Sequence, residues 1–498
     1  MRATLLALLC LAPVASAQEE SPFDLAFKRY RNESLRPVFK QSAQSEERVI
    51  PLRGLDKYDS PAAAEWLMAD VLVKWKEGDV QREAVRVLTK FRRPGTVARM
   101  AEVWNRLGKK QLRAKTLSLL AFGNKSGDPA TAVLKAAFAH KDPRIVAAAC
   151  RAVGVGDNDV FKPQLREALN HKEPLVRADA CYALAELFEV DTKPALFNRF
   201  CQDKSRFVRF RAWQALRKLE KDNRLPCDVQ AWKGWWEENA MEEPDVWGKR
   251  FPGGSDKTKA GLWFGIPVLA DRVIFVVDAT QRMEQGWRID PVKERKKPPA
   301  ERTPNFFSVK TRYALGLAHL NRALKEMADK TQVAVTMYHD KASPPNHSVF
   351  PETRKWLKLS KRVRGQIDVH VKEYEPGGTS SMWEGLEAAF DLQASKKPVQ
   401  QGVQMICFLT NGRPSGGQFK DRADRVSGEA WMRAQERGIV IHTVGLHNHA
   451  FALLQQMAKQ SGGLYVHAQE EGDTVEPQDL AFWPDKKAAF EKARKKKK

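Results

Sequence analysis

The stretch FVVDATQRM at residues 275–283 places oxygen-bearing side chains directly after an apolar run. Asp278 offers a carboxylate and Thr280 a hydroxyl, and hard divalent cations prefer such oxygen ligands. Arg282 follows with a permanent positive charge, which opposes a bound cation. Asp278 and Thr280 therefore suggest that this stretch binds a cation, whereas Arg282 argues against it.

The elements that must position these side chains are buried strands. Apolar runs of strand length, rich in β-branched residues, alternate with segments of helical periodicity; the runs are RVIFVVD, TQVAVTMY, VQMICFLT and IVIHTVGL. Such alternation predicts an α/β doubly wound fold with a largely parallel sheet covered on both faces. Ligands of these folds bind at the carboxyl ends of the strands, which is where Asp278 lies.

Over about residues 268–470 the chain resembles the von Willebrand factor type A domain, a Rossmann-like fold. The strand order, the GGT that opens a helix at Thr379 and the LTNG around Asn411 carry the resemblance. The family's metal-binding signature is Asp-x-Ser-x-Ser after the first strand, a later loop threonine and an aspartate after a central strand. The resemblance thus implies ligand positions at Asp278, Thr280, Thr379 and Asn411.

Two residues depart from that signature and make the site more positive. Asn411 replaces the family's aspartate, and Arg282 replaces its second serine. Each unit of charge at about 4 Å is worth about 4 kcal/mol at an effective dielectric of about 20, so these changes strongly oppose a cation. We therefore expect a degenerate site with no cofactor, or at most weak Mg²⁺ binding. We further hypothesise that Arg282 pairs with Asp278 and replaces the metal; the alternative is that Arg282 is a surface residue.

An insertion between Glu284 and Thr303 separates the first strand from its helix. Its basic residues and prolines predict a mobile loop beside the site, which gates it or binds an acidic partner. The candidate partner-binding residues are Lys293, Arg295, Lys296 and Lys297.

The N-terminal half contains five copies of one helical pattern. They begin at Val80, Leu112, Ile145, Val176 and Val208, at intervals of 32, 33, 31 and 32 residues. The copies resemble HEAT repeats of the short bacterial type over about residues 60–225. The resemblance implies an all-α solenoid whose concave surface binds another macromolecule. The alternative is that the repeats serve as a packing support for the next domain.

A tryptophan-rich neck follows the repeats. Trp232, Trp235 and Trp236 form one aromatic face on a short helix. We expect this face to cap the last repeat, with a stacking platform for carbohydrate or nucleic acid as the alternative.

The first 17 residues have the features of a secretory signal. Arg2 precedes an apolar run that ends in Ala15-Ser16-Ala17, and no later stretch is long enough to span a membrane. We expect an exported protein, either periplasmic or secreted. Of the five cysteines left after cleavage, Cys150, Cys181 and Cys407 are predicted to be buried free thiols, whereas Cys201 and Cys227 could pair.

The net charge of +23 favours anionic partners. The candidates are acidic proteins, acidic envelope polymers, phospholipid headgroups and nucleic acid, with a protein partner favoured and nucleic acid less so. The alternative is a solvated surface with a disordered basic tail. The predicted segments are a signal peptide (1–17), an N-terminal extension (18–59), helical repeats (60–225), a neck and linker (226–261), the α/β domain (262–470) and a basic tail (471–498).

No acid–base pair or nucleophile triad stands out, so we expect no enzymatic activity. Ser380 and Ser381 suit helix capping, and His442, His447 and His449 are expected to be ordinary loop and strand histidines. The pairing of both parts resembles a group of exported bacterial HEAT and von Willebrand A proteins. The predicted function is protein–protein interaction; the alternative is a charge-driven binder of anionic polymer or nucleic acid in which the α/β domain is a scaffold.

Overall fold

The computed structural model describes residues 21–39, 44–220, 225–238, 260–297, 299, 302–340, 347–352, 355–392, 402–447 and 449–468. The predicted signal peptide and basic tail lie outside these residues. The described part of the N-terminal half is helical: α1 Pro22–Tyr30, α2 Ser45–Arg53, α3 Pro61–Glu65, α4 Leu72–Lys74, α5 Gly78–Lys90, α6 Pro94–Arg106, α7 Leu112–Phe122, α8 Asp128–Phe138, α9 Pro143–Gly156, α10 Lys162–Ala168, α11 Pro174–Glu186, α12 Lys193–Gln202, α13 Arg206–Glu220 and α14 Val229–Glu238.

Each copy of the repeated pattern forms one helix, and these helices pack side by side. In chain order they are α5, α7, α9, α11 and α13, and each contacts the next. Turn residues start them as predicted: Asp142 accepts a hydrogen bond from the Arg144 N–H at the start of α9, and Pro174 begins α11.

Small residues allow these helices to approach closely. A Cβ added at Gly154 would lie 2.7 Å from the Cα of Ala183 on the neighbouring helix. Ion pairs then join successive units inside the array, and Arg177 of α11 holds Asp203 through two hydrogen bonds of 2.7 Å. Both carboxylate oxygens are paired, so burying this charge is tolerated.

The α/β domain is built on a seven-stranded sheet. Its strands are β3 Arg272–Asp278, β4 Gln332–Tyr338, β5 His347–Phe350, β6 Leu357–Lys358, β7 Met405–Thr410, β8 Val440–Leu446 and β9 Tyr465–Ala468. The order is β5-β4-β3-β7-β8-β9, with β6 also on β4; β4, β3, β7, β8 and β9 are parallel, and β5 and β6 are antiparallel. The predicted parallel core is confirmed, and the antiparallel edge was not predicted.

Helices cover the sheet, and a small hairpin precedes it. The hairpin strands are β1 Gly261–Trp263 and β2 Ile266–Val268. The helices are α15 Pro291–Lys296, α16 Arg312–Glu326, α17 Lys361–Glu373, α18 Met382–Asp391, α19 Ala423–Arg437 and α20 Phe451–Ser461. No helix in the described part of the chain is both long and apolar enough to cross a membrane.

The neck helix α14 is a cap, as predicted. Trp232 is fully buried, and its ring lies edge-on to Phe200 of α12. Its Nε1 donates a 3.0 Å hydrogen bond to the Pro226 carbonyl. The side chain of Trp236 lies outside the described residues. All five described cysteines are buried free thiols, so Cys201 and Cys227 do not pair.

The two halves form one extended contact, in which repeat helices pack directly on the α/β domain. Helix α5 lies against α19 so closely that a Cβ at Gly428 would be 2.5 Å from the Asp79 nitrogen. The Glu429 carboxylate accepts a 2.7 Å hydrogen bond from the Gly78 N–H and so caps the start of α5. One continuous apolar core contains residues from both halves.

At the other end of the contact, Arg211 of α13 reaches across to α20. Its guanidinium donates to the carbonyls of Ser461 (3.1 Å) and Gly462 (3.0 Å), the last groups of that helix. A cation at a helix C-terminus is favourable because it meets the negative end of the helix dipole. Between these points Arg151 of α9 donates to the Gln435 carbonyl at 2.7 Å.

Candidate functional site

Asp278 stands at the carboxyl end of β3 and is fully buried. One of its carboxylate oxygens accepts a 2.9 Å bond from the Thr280 N–H. The other accepts bonds from the Thr410 hydroxyl (2.9 Å) and from the Asn411 N–H (3.0 Å). The buried charge is thus compensated by three donors, and it ties the end of β3 to the end of β7.

Arg282 does not pair with Asp278. It lies in a short 3-10 turn, Gln281–Glu284, with its side chain exposed, and no ion pair joins it to Asp278 in the part of the chain described. Moving a guanidinium into the buried position would strip it of water, while Asp278 already has its three donors. The hypothesised metal-replacing contact is therefore absent, and Arg282 is a surface residue.

Thr379 lies on the exposed rim of the same edge, beside a carboxylate that sequence reasoning missed. Its hydroxyl and its N–H both donate to Asp340, which follows β4. Although partial burial would raise the pKa of Asp340, the hydrogen bonds from Thr379 keep that pKa below its usual value. A Cβ at Gly416 would collide with the side-chain ends of this pair, so a larger residue there would have to displace Asp340 or Thr379. The signal that could have found Asp340 is its position two residues after the apolar run TQVAVTMY.

Asn411 faces the loop that carries Arg282. Its Nδ2 donates to the Arg282 carbonyl at 3.1 Å, while its buried Oδ1 has no hydrogen-bond partner among the described residues. The Ser380 hydroxyl is likewise buried and unpartnered within the described chain. Burial and the nearby Asp278 charge raise the pKa of Tyr338 well above its usual value, so its phenol stays protonated.

The structure thus brings Asp278, Thr280 and Asn411 together and places Thr379 on the rim with Asp340. Backbone bonds fix the loops relative to one another, since the Gln281 N–H donates to Gly378 and the Gly377 N–H donates to Ala279. The arrangement can present polar groups on a rigid edge. No group of three or more carboxylate, imidazole or thiolate ligands occurs in the described chain.

The described part of the basic insertion contains a helix, α15, where the sequence predicted a mobile loop. Its helix α15 is anchored by Glu294, a buried carboxylate that accepts a hydrogen bond from the Thr303 N–H. Lys297 forms a 2.9 Å ion pair with the same carboxylate, so it is structural. The remaining candidate partner residues are exposed: Lys293, Arg295 and Lys296.

The histidines do not form a metal site. His442 is buried in β8, accepts a bond from the Leu464 N–H at 2.9 Å and has its pKa lowered by burial to about 3. His449 bonds the Tyr465 hydroxyl at 2.7 Å. Ser381 donates to the His339 carbonyl at 2.7 Å, which is a structural contact.

A comparison with known protein families agrees with the resemblance found in the sequence. Residues 311–479 match the family model of the von Willebrand factor type A domain. This match starts after the insertion and so omits β3 and Asp278, although β3 lies at the centre of the sheet between β4 and β7. The search of curated proteins finds no match.

Two solved structures show weak likeness. A von Willebrand factor type A protein from Catenulispora acidiphila is 15% identical, with 43% of this chain and 41% of that chain covered and a TM-score of 0.29. An engineered protein is 16% identical, with 39% of this chain and 97% of that chain covered and a TM-score of 0.21. The assignment therefore rests on the family model and the sheet: residues 311–479 carry a von Willebrand factor type A domain.

Proposed function

We propose that this protein is an exported, non-enzymatic scaffold that binds a protein partner through the loops around Asp278, Thr379 and Asn411. The family match at residues 311–479 supports a role in protein interaction. The predicted signal sequence supports export. The helices in register support a HEAT-type solenoid whose repeat face holds the protein's own α/β domain instead of an external ligand.

We infer that the family's divalent cation does not fit this edge. Asp278 already satisfies three donors, and the Thr379 hydroxyl donates to Asp340. Asp340 adds one negative charge to the edge. The net charge of the edge is therefore one unit more positive than in the family pattern, and not two units. The exposed positive charge of Arg282 still opposes a cation near the edge.

The observation that carries the proposal is the position of Arg282. A Cβ at Gly412 would lie 3.9 Å from its Nη1, so the guanidinium sits on the surface beside the Asn411 loop. There it can bind a carboxylate of a partner through two parallel hydrogen bonds, which supplies positive charge without a metal ion.

This function is tested by affinity capture of the partner in the presence of EDTA, which removes divalent cations. The mature protein should retain its captured partner in EDTA, and Arg282→Ser should weaken the purified complex about tenfold, as expected for loss of a charged hydrogen bond of about 1.5 kcal/mol. Arg362→Ser, at an exposed arginine on α17, is the matched control and should change nothing. Release of the partner by EDTA would contradict the proposal.

A further inference from the structure

A large cleft lies at the opposite end of the sheet from Asp278. It has a volume of about 1460 Å³ and opens between the α12–α13 turn, the start of β3, the end of α16 and the insertion. Asp271 in its wall directly precedes β3, whose seven residues put the cleft about 23 Å from Asp278. The cleft is therefore a second feature, separate from the loop edge.

The lining of the cleft is strongly basic. Nine of its side chains are lysine or arginine, against three carboxylates, Asp271, Glu326 and Asp329. All three carboxylates already have partners in the wall. Asp271 accepts from the Ser205 hydroxyl and the Arg206 N–H, Glu326 pairs with Arg322, and Asp329 pairs with Arg364.

Several cations in the lining remain uncompensated. Within the described chain, five of them have no carboxylate partner and all are exposed: Lys204, Arg302, Lys325, Lys330 and Lys361. They come from the α12–α13 turn, the insertion, α16, the loop before β4 and the start of α17, so they surround the cleft. Uncompensated charge around a concave surface focuses a positive potential into it.

Size and composition indicate the kind of ligand. Small-molecule pockets usually have about 300 to 1,000 Å³, so this cleft suits a chain segment. The described lining contains no aromatic residue, whereas proteins that bind single-stranded nucleic acid usually stack bases on aromatic rings. Gln202 and Asn305 add amide groups that can bond a peptide backbone.

We propose that this cleft binds an acidic peptide segment of a partner protein. The glutamate or aspartate side chains of the segment meet the lysines of the rim, and its backbone lies along the floor. This site goes beyond the interaction proposed at the loop edge and does not depend on Arg282.

Fluorescence anisotropy with a labelled oligoglutamate peptide tests the proposal. The triple variant Lys204→Glu, Lys330→Glu and Lys361→Glu should weaken peptide binding by up to about a hundredfold, because each of the three lost ion pairs accounts for up to about fivefold. A control variant with the same change in net charge is Lys109→Glu, Lys110→Glu and Lys135→Glu, at exposed lysines outside the cleft. It should bind within about threefold of the natural protein, since its charges are screened over about 10 Å at 0.1 M salt.

Three results would overturn the proposal. Equal losses in both triple variants would mean that net charge, and not the cleft, attracts the peptide. Tighter binding of oligothymidylate than of oligoglutamate, with the same dependence on Lys204, Lys330 and Lys361, would assign the cleft to nucleic acid. Failure of the peptide to bind the natural protein at low salt would remove the site altogether.

Thermal unfolding curves and the Arg282→Ser variant distinguish this proposal from the one for the loop edge. The midpoint of thermal unfolding should be unchanged in both triple variants, which excludes misfolding as the cause of lost binding. Arg282→Ser should leave the peptide affinity unchanged, and the cleft variant should still capture the loop-edge partner in EDTA. Loss of peptide binding in Arg282→Ser would show that the cleft is not the peptide site.

Discussion

At the scale of single residues, Asp278 is a structural anchor of the sheet edge. Its carboxylate joins the ends of β3 and β7 through donors from Thr280, Thr410 and Asn411. In a protein that binds a cation here, the carboxylate oxygens would be shared with the ion. The chain's own hydrogen bonds hold this edge together.

A metal titration of stability tests this arrangement. Saturating Mg²⁺ or Mn²⁺ should barely change the free energy of unfolding of the natural protein. The double variant Arg282→Ser, Asn411→Asp restores the family's charges and should gain about 2.7 kcal/mol at a cation concentration of 100 times its Kd. An equal gain in both proteins would refute the degenerate site.

The sequence located most of this site but not its contacts. Asp278 and Asn411 could be found because each lies at the end of a strand, and Thr379 because it belongs to a GGT turn; strand ends in a parallel sheet meet at one edge. The orientation of the Arg282 side chain could not be predicted. Whether a long side chain points to solvent or to a carboxylate depends on tertiary packing, which the local sequence pattern does not determine. Asp340 was missed because its role depends on contact with Thr379, 39 residues away.

At the scale of elements, helices α5 and α19 meet backbone to backbone. Gly78 and Gly428 remove the side chains that would otherwise separate them. Close approach lets Arg82 bond the Ser427 hydroxyl at 2.7 Å and Arg425 reach Asp79 at 3.0 Å. The two glycines therefore set how the repeats dock on the α/β domain.

Alanine substitutions at two helical glycines test this docking. Gly428→Ala should lower the free energy of unfolding by about 2 to 3 kcal/mol, because its Cβ would collide with backbone atoms of Asp79. Gly365→Ala is the matched control in α17, where a Cβ meets nothing within 4 Å, and should be neutral or stabilising by up to about 1 kcal/mol. Urea unfolding measures both, and equal effects would contradict the tight contact.

Elements with strong periodicity were predicted correctly, whereas edge elements were not. The repeat helices and the parallel strands follow uniform apolar patterns that come from complete burial. Strands β5 and β6 and helix α17 lie at one side of the sheet, where half of each element faces water and the pattern is weak. The docking of α5 on α19 was unpredictable because an apolar face does not say which of several surfaces will cover it.

At the scale of the whole molecule, His442 is buried at the contact between the two halves, a joint where a positive charge on its imidazole is unfavourable. This imidazole packs edge-on to Phe210 of α13, with ring centroids 5.3 Å apart, and lies near the buried guanidinium of Arg211. Burial first, and then Arg211, lower the pKa of His442 to about 3. Protonation of His442 therefore opposes the folded state at this joint.

Acid should weaken the molecule at this joint. Because the pKa of His442 is lower in the folded protein than its unfolded value of about 6.5, the unfolded chain takes up the proton first, and stability is lost as pH falls from about 6.5 towards 3. Between pH 6.5 and 4 this single group should cost about 3 kcal/mol.

The variant His442→Asn isolates this group, because its amide oxygen can still accept from the Leu464 N–H but does not titrate in this range. Urea unfolding at both pH values should show a smaller acid loss in the variant by about 3 kcal/mol. His319 and His449, whose pKa values burial lowers to about 3 and about 4, titrate in both proteins and cancel in the comparison. Equal acid losses would place His442 in a hydrated environment.

The contact between Gly78 and Glu429 spans 351 residues of chain. At a synthesis rate of about 5 to 20 residues per second, α5 exists for about 20 to 70 seconds before α19 has been made. During that interval the face of the repeats that packs on the α/β domain in the finished protein is exposed. Other polypeptide chains can bind to it. The nascent protein should therefore need a chaperone, or a pause before folding, at the stage when its N-terminal half is complete.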